Sequence, residues 1–227
     1  MNNIVELIGY YGSDEIHACS AWTSTNRNLS EDKKARIPSL LKMLAEAGHH
    51  TPFEKSSLHF LVDTDIATHI HVLKHRIGVS VNGESARYKE LKEDKYFVPD
   101  DWNNISMSES YLLNDSPCLY GEGSIYWSDI LARYTELGNK LYHHALKDLE
   151  PVLGRKRAKE SARFFKTYNS QIQADVMFNF RSFFHFLNLR NKPDAQKEIQ
   201  EIASEMLNLV RNIDGNPFQY TLDAFGL

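Results

Sequence analysis

Lys74-His75-Arg76, followed after eight residues by Ser85-Ala86-Arg87-Tyr88, concentrates charged and hydrogen-bonding groups beside Gly78 and Gly83. Lysine and arginine supply cations, while Ser80, Asn82, Glu84 and Ser85 supply donors and acceptors at short intervals. A ligand that carries both phosphates and a heterocycle suits such a set, since guanidinium and ammonium groups form charge-assisted hydrogen bonds to phosphate oxygens. The same composition also describes a solvated helix end. Ile66, Ile70 and Leu73 at three- and four-residue spacing predict a lead-in helix that Gly78 breaks, and the residues after it are expected to form a binding loop.

The elements that must position this cluster follow from apolar spacing and turn signals. Ile4 to Tyr11 predicts a first strand, closed by Gly9 and Gly12-Ser13-Asp14, with a short helix continuing through Cys19. Trp22 to Asn26 reads as a polar loop. A helix is expected from about Pro38 to Ala47, with Leu40, Leu41 and Leu44 inward and Gly48 as its stop. His49-His50-Thr51-Pro52-Phe53-Glu54 is either a connector from helix to strand or a polar site around a proline-fixed turn. Ser57 to Val62 alternates as a strand with Leu58, Phe60 and Val62 on one face, leading into the helix that carries His69 and His71. Histidines two apart on a helix point to different sides, and no partner stands at four-residue spacing, so no metal site is expected.

Residues 89–122 are turn-rich, punctuated by Pro99-Asp100-Asp101-Trp102 and Asn114-Asp115-Ser116-Pro117, and read as an insertion or lid. From Ser124 to Leu149 the spacing of Ile130, Tyr134, Leu137, Leu141 and Ala145 predicts an amphipathic helix, core-facing on that stripe and ended by Pro151. Arg155-Lys156-Arg157 and Lys159 read as a solvated face offset by Glu160. After an extended segment from Phe164 to Phe178, Asn179 to Arg190 predicts a helix with Phe183, Phe186, Leu187 and Leu189 in the core. A last helix is expected from about Asp194 to Arg211, with Ile199, Ile202, Met206 and Val210 inward.

The chain has 227 residues, 42% hydrophobic and 25% charged, with a formal net charge of -4. That balance is ordinary for a globular protein and offers no excess of basic charge to a nucleic-acid polymer. Cys19 and Cys118 are too few for a disulfide framework or a four-cysteine zinc site. The N-terminal residues lack the pattern of a signal peptide and no apolar run reaches the ~20 residues of a membrane span, so a cytoplasmic protein is expected.

Three separate motifs resemble those of one family, the flavin-dependent thymidylate synthases. Lys74-His75-Arg76 with Ser85 and Arg87 is similar to the family's Arg-His-Arg signature, although Lys74 replaces the first arginine and Gly83 stands where glutamate is common. His49 to Glu54 resembles the family's His-X-Thr/Ser-Pro-Phe-Glu motif, with Lys55 in place of a histidine. Asn179, Arg181, Ser182, Leu189-Arg190 and Ala195-Gln196-Lys197-Glu198-Ile199 resemble the third, with His185 for asparagine and Asp194 for histidine. From His49 to Ile199 the motifs run in family order over roughly two thirds of the chain.

The resemblance implies a single α+β domain over residues 1–227, a β-sheet packed against several helices. It implies reductive methylation of dUMP to dTMP, with 5,10-methylenetetrahydrofolate as one-carbon donor and NADPH-reduced FAD as hydride source. It assigns His71, Glu84, Ser85, Ala86, Arg87, Arg163 and Arg190 to dUMP. It assigns Ser24, Thr51, Glu54, Lys74, His75, Arg76, Asn82, Asn179, Arg181 and His185 to FAD. Arg190 and Ser85 are the expected catalytic residues, Arg190 as the cation that polarises a uracil carbonyl. A homotetramer with active sites shared between subunits is also implied. Two other functions fit the departures from the motifs: a related flavin enzyme that transfers another one-carbon group, such as hydroxymethyl, to a pyrimidine nucleotide, and a noncatalytic nucleotide-binding module. Neither cysteine is expected to act as a nucleophile, since Cys19 lies among small and apolar residues as a packed core thiol would, and Cys118 falls outside all three motifs.

Overall fold

A computed structural model describes residues 3–107 and 126–227. In chain order the elements are β1 (Ile4–Tyr11), α1 (Asp14–Trp22), α2 (Glu31–Glu46), a 3-10 turn (Thr51–Glu54), β2 (Ser57–Asp65), α3 (Ile66–Leu73) and β3 (Val79–Gly83). A 3-10 turn (Asp100–Trp102) precedes α4 (Trp127–Ala162), and another (Arg163–Phe165) leads to β4 (Gln171–Phe178), α5 (Phe180–Arg190), α6 (Lys197–Arg211) and α7 (Gln219–Phe225). The class is α+β, as expected, with one four-stranded sheet ordered β1-β2-β4-β3.

The described chain gathers into two compact units. One comprises Asn3–Asp63, Ile70–Gly83 and Gln173–Leu227, and the other includes Thr64–His69 and Glu84–Ile172. In the first, alternation along β2 and β4 buries Leu58, Phe60, Val62, Val176 and Phe178 on one sheet face. Phe183 and Phe186 of α5 and Ile199, Ile202, Met206 and Val210 of α6 belong to the same core. The Phe60 and Phe183 rings stack with centroids 5.7 Å apart. Each fully buried side chain of this kind contributes about 1.5–3 kcal/mol, so the sheet face and α5 hold each other in place.

A polar tie joins the two ends of this unit. Asp14, the first residue of α1, accepts from the backbone N–H groups of Tyr220 and Thr221, each at 2.8 Å, and so caps the start of α7. The Thr221 hydroxyl donates to Asp14 at 2.6 Å and lies 2.9 Å from Nδ1 of His17. Because that hydroxyl proton is committed to Asp14, His17 donates from Nδ1 and is the Nδ1–H tautomer. Burial raises the Asp14 carboxyl above its ordinary value and lowers His17 to about 4.

The structure moves several predicted boundaries. α2 begins at Glu31, with the Ser30 hydroxyl accepting from the Lys33 N–H, and Pro38 lies inside it. The buried residues Ile37, Leu41 and Leu44 continue one stripe across the proline, and tertiary burial outweighs the missing N–H. Leu40 is only half-buried. Gly9 is not a turn but sits at a register shift inside β1.

In the second unit α4 runs past Pro151, and the break falls at Gly154, whose φ is 76°. The predicted stripe is only partly inward, since Tyr134 and Leu141 are 53% and 42% exposed. The face that packs carries Thr135, Gly138, Asn139, Tyr142 and Leu146. A Cβ on Gly138 would lie 2.6 Å from the Phe165 carbonyl oxygen, so glycine permits this approach. Thr135 donates to Asn169 at 3.0 Å, and Lys166, 4% exposed, reaches Asp94 at 2.6 Å and Asn139 at 2.8 Å. Its ammonium also lies 4.5 Å from the Tyr142 ring centroid. A hydrophobic period cannot find a face built from paired polar groups. The start predicted at Ser124, the turn at Asn114 to Pro117 and Cys118 lie outside the described residues. Cys19 is half-buried on α1, not sealed in a core.

Candidate functional site

The turn between α3 and β3 is built for close approach. α3 ends at Leu73, so Lys74, His75 and Arg76 follow the helix instead of lying on it. The His75 N–H donates to the Val72 carbonyl at 3.0 Å. Gly78, at φ 66°, then reverses the chain against the N-terminus of α5. Asn179 caps α5 by accepting from the Ser182 N–H at 2.9 Å, and the Ser182 hydroxyl donates to the Ile77 carbonyl at 2.8 Å. Residues 79–83, expected as a loop, are strand β3, in antiparallel register from Val79 opposite Phe178 to Gly83 opposite Ala174. Alternating Val79 and Val81 with a ready partner strand outweigh the polar residues between them.

This turn and α5 enclose a cavity of about 750 Å³ lined by Lys74, His75, Arg76, Ile77, Val79, Ser182, His185, Leu189 and Arg190. Leu189, predicted for the core, is 44% exposed and supplies part of the apolar lining. Three of the lining residues are lysine or arginine and none is a carboxylate. Arg190 stands in the last turn of α5 and its Nε donates to Nε2 of His75 at 3.1 Å. The His75 ring packs edge-on against Phe186 at 4.9 Å and lies 6.2 Å from His185. Burial first, then the charges of Arg190, His185 and His71, lower its pKa to about 4. His75 is therefore a neutral imidazole at pH 7, accepting on Nε2.

The same unit carries the remaining residues assigned by resemblance to FAD, outside the described lining of this cavity. Thr51 and Glu54 lie on the 3-10 turn, where Glu54 pairs with Arg181 of α5. Asn82 is exposed on β3, and the Ser24 hydroxyl donates to the Ala21 carbonyl at 3.1 Å. His71 is half-buried on α3. Glu54 also borders a second hollow of about 610 Å³, with Arg27, Lys55 and five hydroxyl side chains among its other lining residues.

The other unit holds Glu84, Ser85, Ala86, Arg87 and Arg163. Glu84 pairs with Lys89 at 2.5 Å, and Ser85 Oγ accepts from the Arg87 N–H at 3.3 Å. Arg87 Nε meets the Glu160 carboxylate at 3.2 Å, while Arg163 Nε donates to the Glu160 backbone carbonyl, also at 3.2 Å. Desolvation opposes ionisation of Glu160, but the hydrogen bonds and charges of Arg87, Arg157 and Lys156 together outweigh it, and the carboxyl titrates below its ordinary value. Glu160 is the organising residue that the sequence reading left as a charge offset. Its signal was the three-residue spacing from Arg157 to Glu160, which makes the two neighbours on the helix surface.

The family described as "Thymidylate synthase complementing protein" matches residues 6–214. A flavin-dependent thymidylate synthase of Thermosipho africanus is 30% identical over 223 residues, 97% of this chain and 90% of the relative. That of Anaplasma marginale is 29% identical over 207 residues, covering 91% and 67% respectively. Among solved structures, the UMP/dUMP methylase PolB from Streptomyces cacaoi bound with 5-Br dUMP superposes with a TM-score of 0.75 at 26% identity, over 99% of this chain and 95% of that one. With three motifs in order, a matched fold and a family match spanning most of its length, the chain belongs to the flavin-dependent thymidylate synthase family, a family of transferase enzymes.

Proposed function

We propose that this protein methylates dUMP to dTMP, taking a one-carbon unit from 5,10-methylenetetrahydrofolate and reducing equivalents from NADPH through FAD. The observation that carries the reading is the cavity in which Lys74, Arg76 and Arg190 surround a neutral His75, with no carboxylate among the described lining residues. Its volume lies within the roughly 300–1,000 Å³ common for small-molecule sites, and its cations and apolar wall fit an anionic ligand with a flat ring system. The donor set therefore suits FAD. When bound, reduced FAD supplies the hydride and electrons that turn the transferred one-carbon unit into a methyl group.

The chain's own residues bind and polarise. Lys74 and Arg76 would hold the anionic groups of FAD, with His75 and His185 lining the same cavity, and Ser24, Thr51, Glu54, Asn82, Asn179 and Arg181 complete that assignment. Ser85 and Arg87, with Glu84, Ala86, His71 and Arg163, hold the nucleotide. Arg190 places a guanidinium where charge builds on the uracil carbonyl, which favours reaction at carbon five. Ser85, the other catalytic assignment, orients the nucleotide. We further assign a homotetramer with shared sites, acting in the cytoplasm.

The test is spectroscopic. Protein loaded with FAD should be yellow, bleach under NADPH without oxygen, and recover colour while forming dTMP when dUMP and methylenetetrahydrofolate are added. Failure to take up FAD refutes the reading, and product mass separates methyl from hydroxymethyl transfer. The name of the structural neighbour, a UMP/dUMP methylase, favours a second reading in which UMP is also methylated. Parallel assays with UMP decide it.

A further inference from the structure

An arginine at the end of a helix has several rotatable bonds, and its guanidinium is aimed only if some nitrogen is anchored. Arg190 is anchored at Nε, 3.1 Å from His75 Nε2. An imidazole nitrogen accepts a hydrogen bond only when it carries no proton, so this contact requires His75 to be neutral with its proton on Nδ1. The surroundings enforce that form. His75 is 9% exposed, with Phe186 against its ring. The charged and titratable groups around it are Arg190 and His185 on α5, His71 on α3, and the flanking Lys74 and Arg76, all cations or potential cations. No carboxylate among the described cavity residues favours an imidazolium.

We infer that His75 is a positioning residue for Arg190: a neutral acceptor that fixes the Nε edge of the guanidinium and leaves its two terminal nitrogens free to address the pyrimidine nucleotide. The inference rests on the proposed function and deepens it, because it gives His75 a duty toward the nucleotide beyond its assignment to FAD. Protonation of His75 removes the acceptor and sets two cations against each other, which releases Arg190.

The experiment uses FAD-loaded protein carrying His75→Gln or His75→Leu. Glutamine offers a carbonyl oxygen to Arg190, whereas leucine fills space without an acceptor. His75→Leu should weaken dUMP binding, measured by calorimetry, about tenfold or more, the loss expected of a hydrogen bond to a charged group. His75→Gln, which restores an acceptor at the same place, should recover most of the dUMP affinity. Unchanged dUMP affinity in His75→Leu overturns the inference, as does a loss that His75→Gln does not recover. A second measurement needs no activity. With histidine ring nitrogens labelled with ¹⁵N, the His75 titration seen by NMR should move up toward 6.5 in Arg190→Met, and an unmoved titration also overturns the coupling. Wild-type protein that binds no dUMP refutes the proposed function separately, while the NMR titration still decides the His75–Arg190 contact.

Discussion

Replacing Gly78 by alanine tests how the cavity turn is held. At φ 66° an alanine carries the left-handed penalty of about 1–2 kcal/mol. The added Cβ would lie 2.3 Å from Ser182 Oγ and 2.5 Å from Asn179 Nδ2, far inside contact distance. Those two side chains cap α5 and bind the Ile77 carbonyl, so relieving the clash displaces a cap worth about 1 kcal/mol and a hydrogen bond of similar size. The expected total is about 3–4 kcal/mol. Gly48 is the control, because its φ is 72° but nothing lies within 4 Å of a Cβ there, leaving only the backbone penalty. Urea unfolding of both variants and wild type should show Gly78→Ala destabilised by about 2 kcal/mol more than Gly48→Ala, with unchanged slopes. Equal destabilisation of the two variants would show that the stitching of the turn to α5 contributes nothing.

Other measurements probe the rest of the molecule. His17 titrates near 4 when folded and near 6.5 when unfolded, so the unfolded chain takes up the proton first and stability falls with pH through that window. From pH 7 to pH 5 this one group should remove about 2 kcal/mol, read as a lower urea midpoint; no loss of stability over that range refutes the assignment. Alanine at Arg87, Arg163 or Arg190 should weaken dUMP binding about ten- to a hundredfold while flavin reduction by NADPH persists, and equal damage to both means a role in folding. Lys166→Ala removes the buried ammonium that Asp94 and Asn139 share, although Asp94 keeps His143 at 2.9 Å, and should destabilise by about 1–3 kcal/mol, whereas a loss below about 0.5 kcal/mol makes the pair a bystander. The Cys19→Ser/Cys118→Ser double variant should keep most NADPH-dependent release of tritium from carbon five of dUMP, and abolition in a folded, yellow protein points to a thiolate mechanism.

Strand β2, the core face of α6 and the helix Phe180–Arg190 were legible because burial imposes a simple period on them. Elements held by polar pairing were not. α4 packs through Thr135, Asn139 and a close-approach glycine, and its exposed Tyr134 and Leu141 mimic a core stripe. Pro38 and Pro151 read as boundaries because proline disfavours helix interiors locally, yet both lie inside helices. Within the site, resemblance supplied residue names, but sequence could not foresee that Arg190 rests on His75. Those residues are 115 apart, and no local pattern encodes a contact closed by the fold.

The tie between α1 and α7 sets an order of events during synthesis. Asp14 leaves the ribosome among the first residues of its unit, yet the backbone groups it caps are made 206 residues later. Until then Asp14 and His17 lack the partners that justify their burial, and the α1 surface that will be sealed stays open to water and to chaperones. The nascent unit can collapse around β1 and β2, but it cannot lock. A ribosome stalled before Gln219 should therefore hold a chain whose α1 is still accessible to protease, and release of α7 should close it in one step.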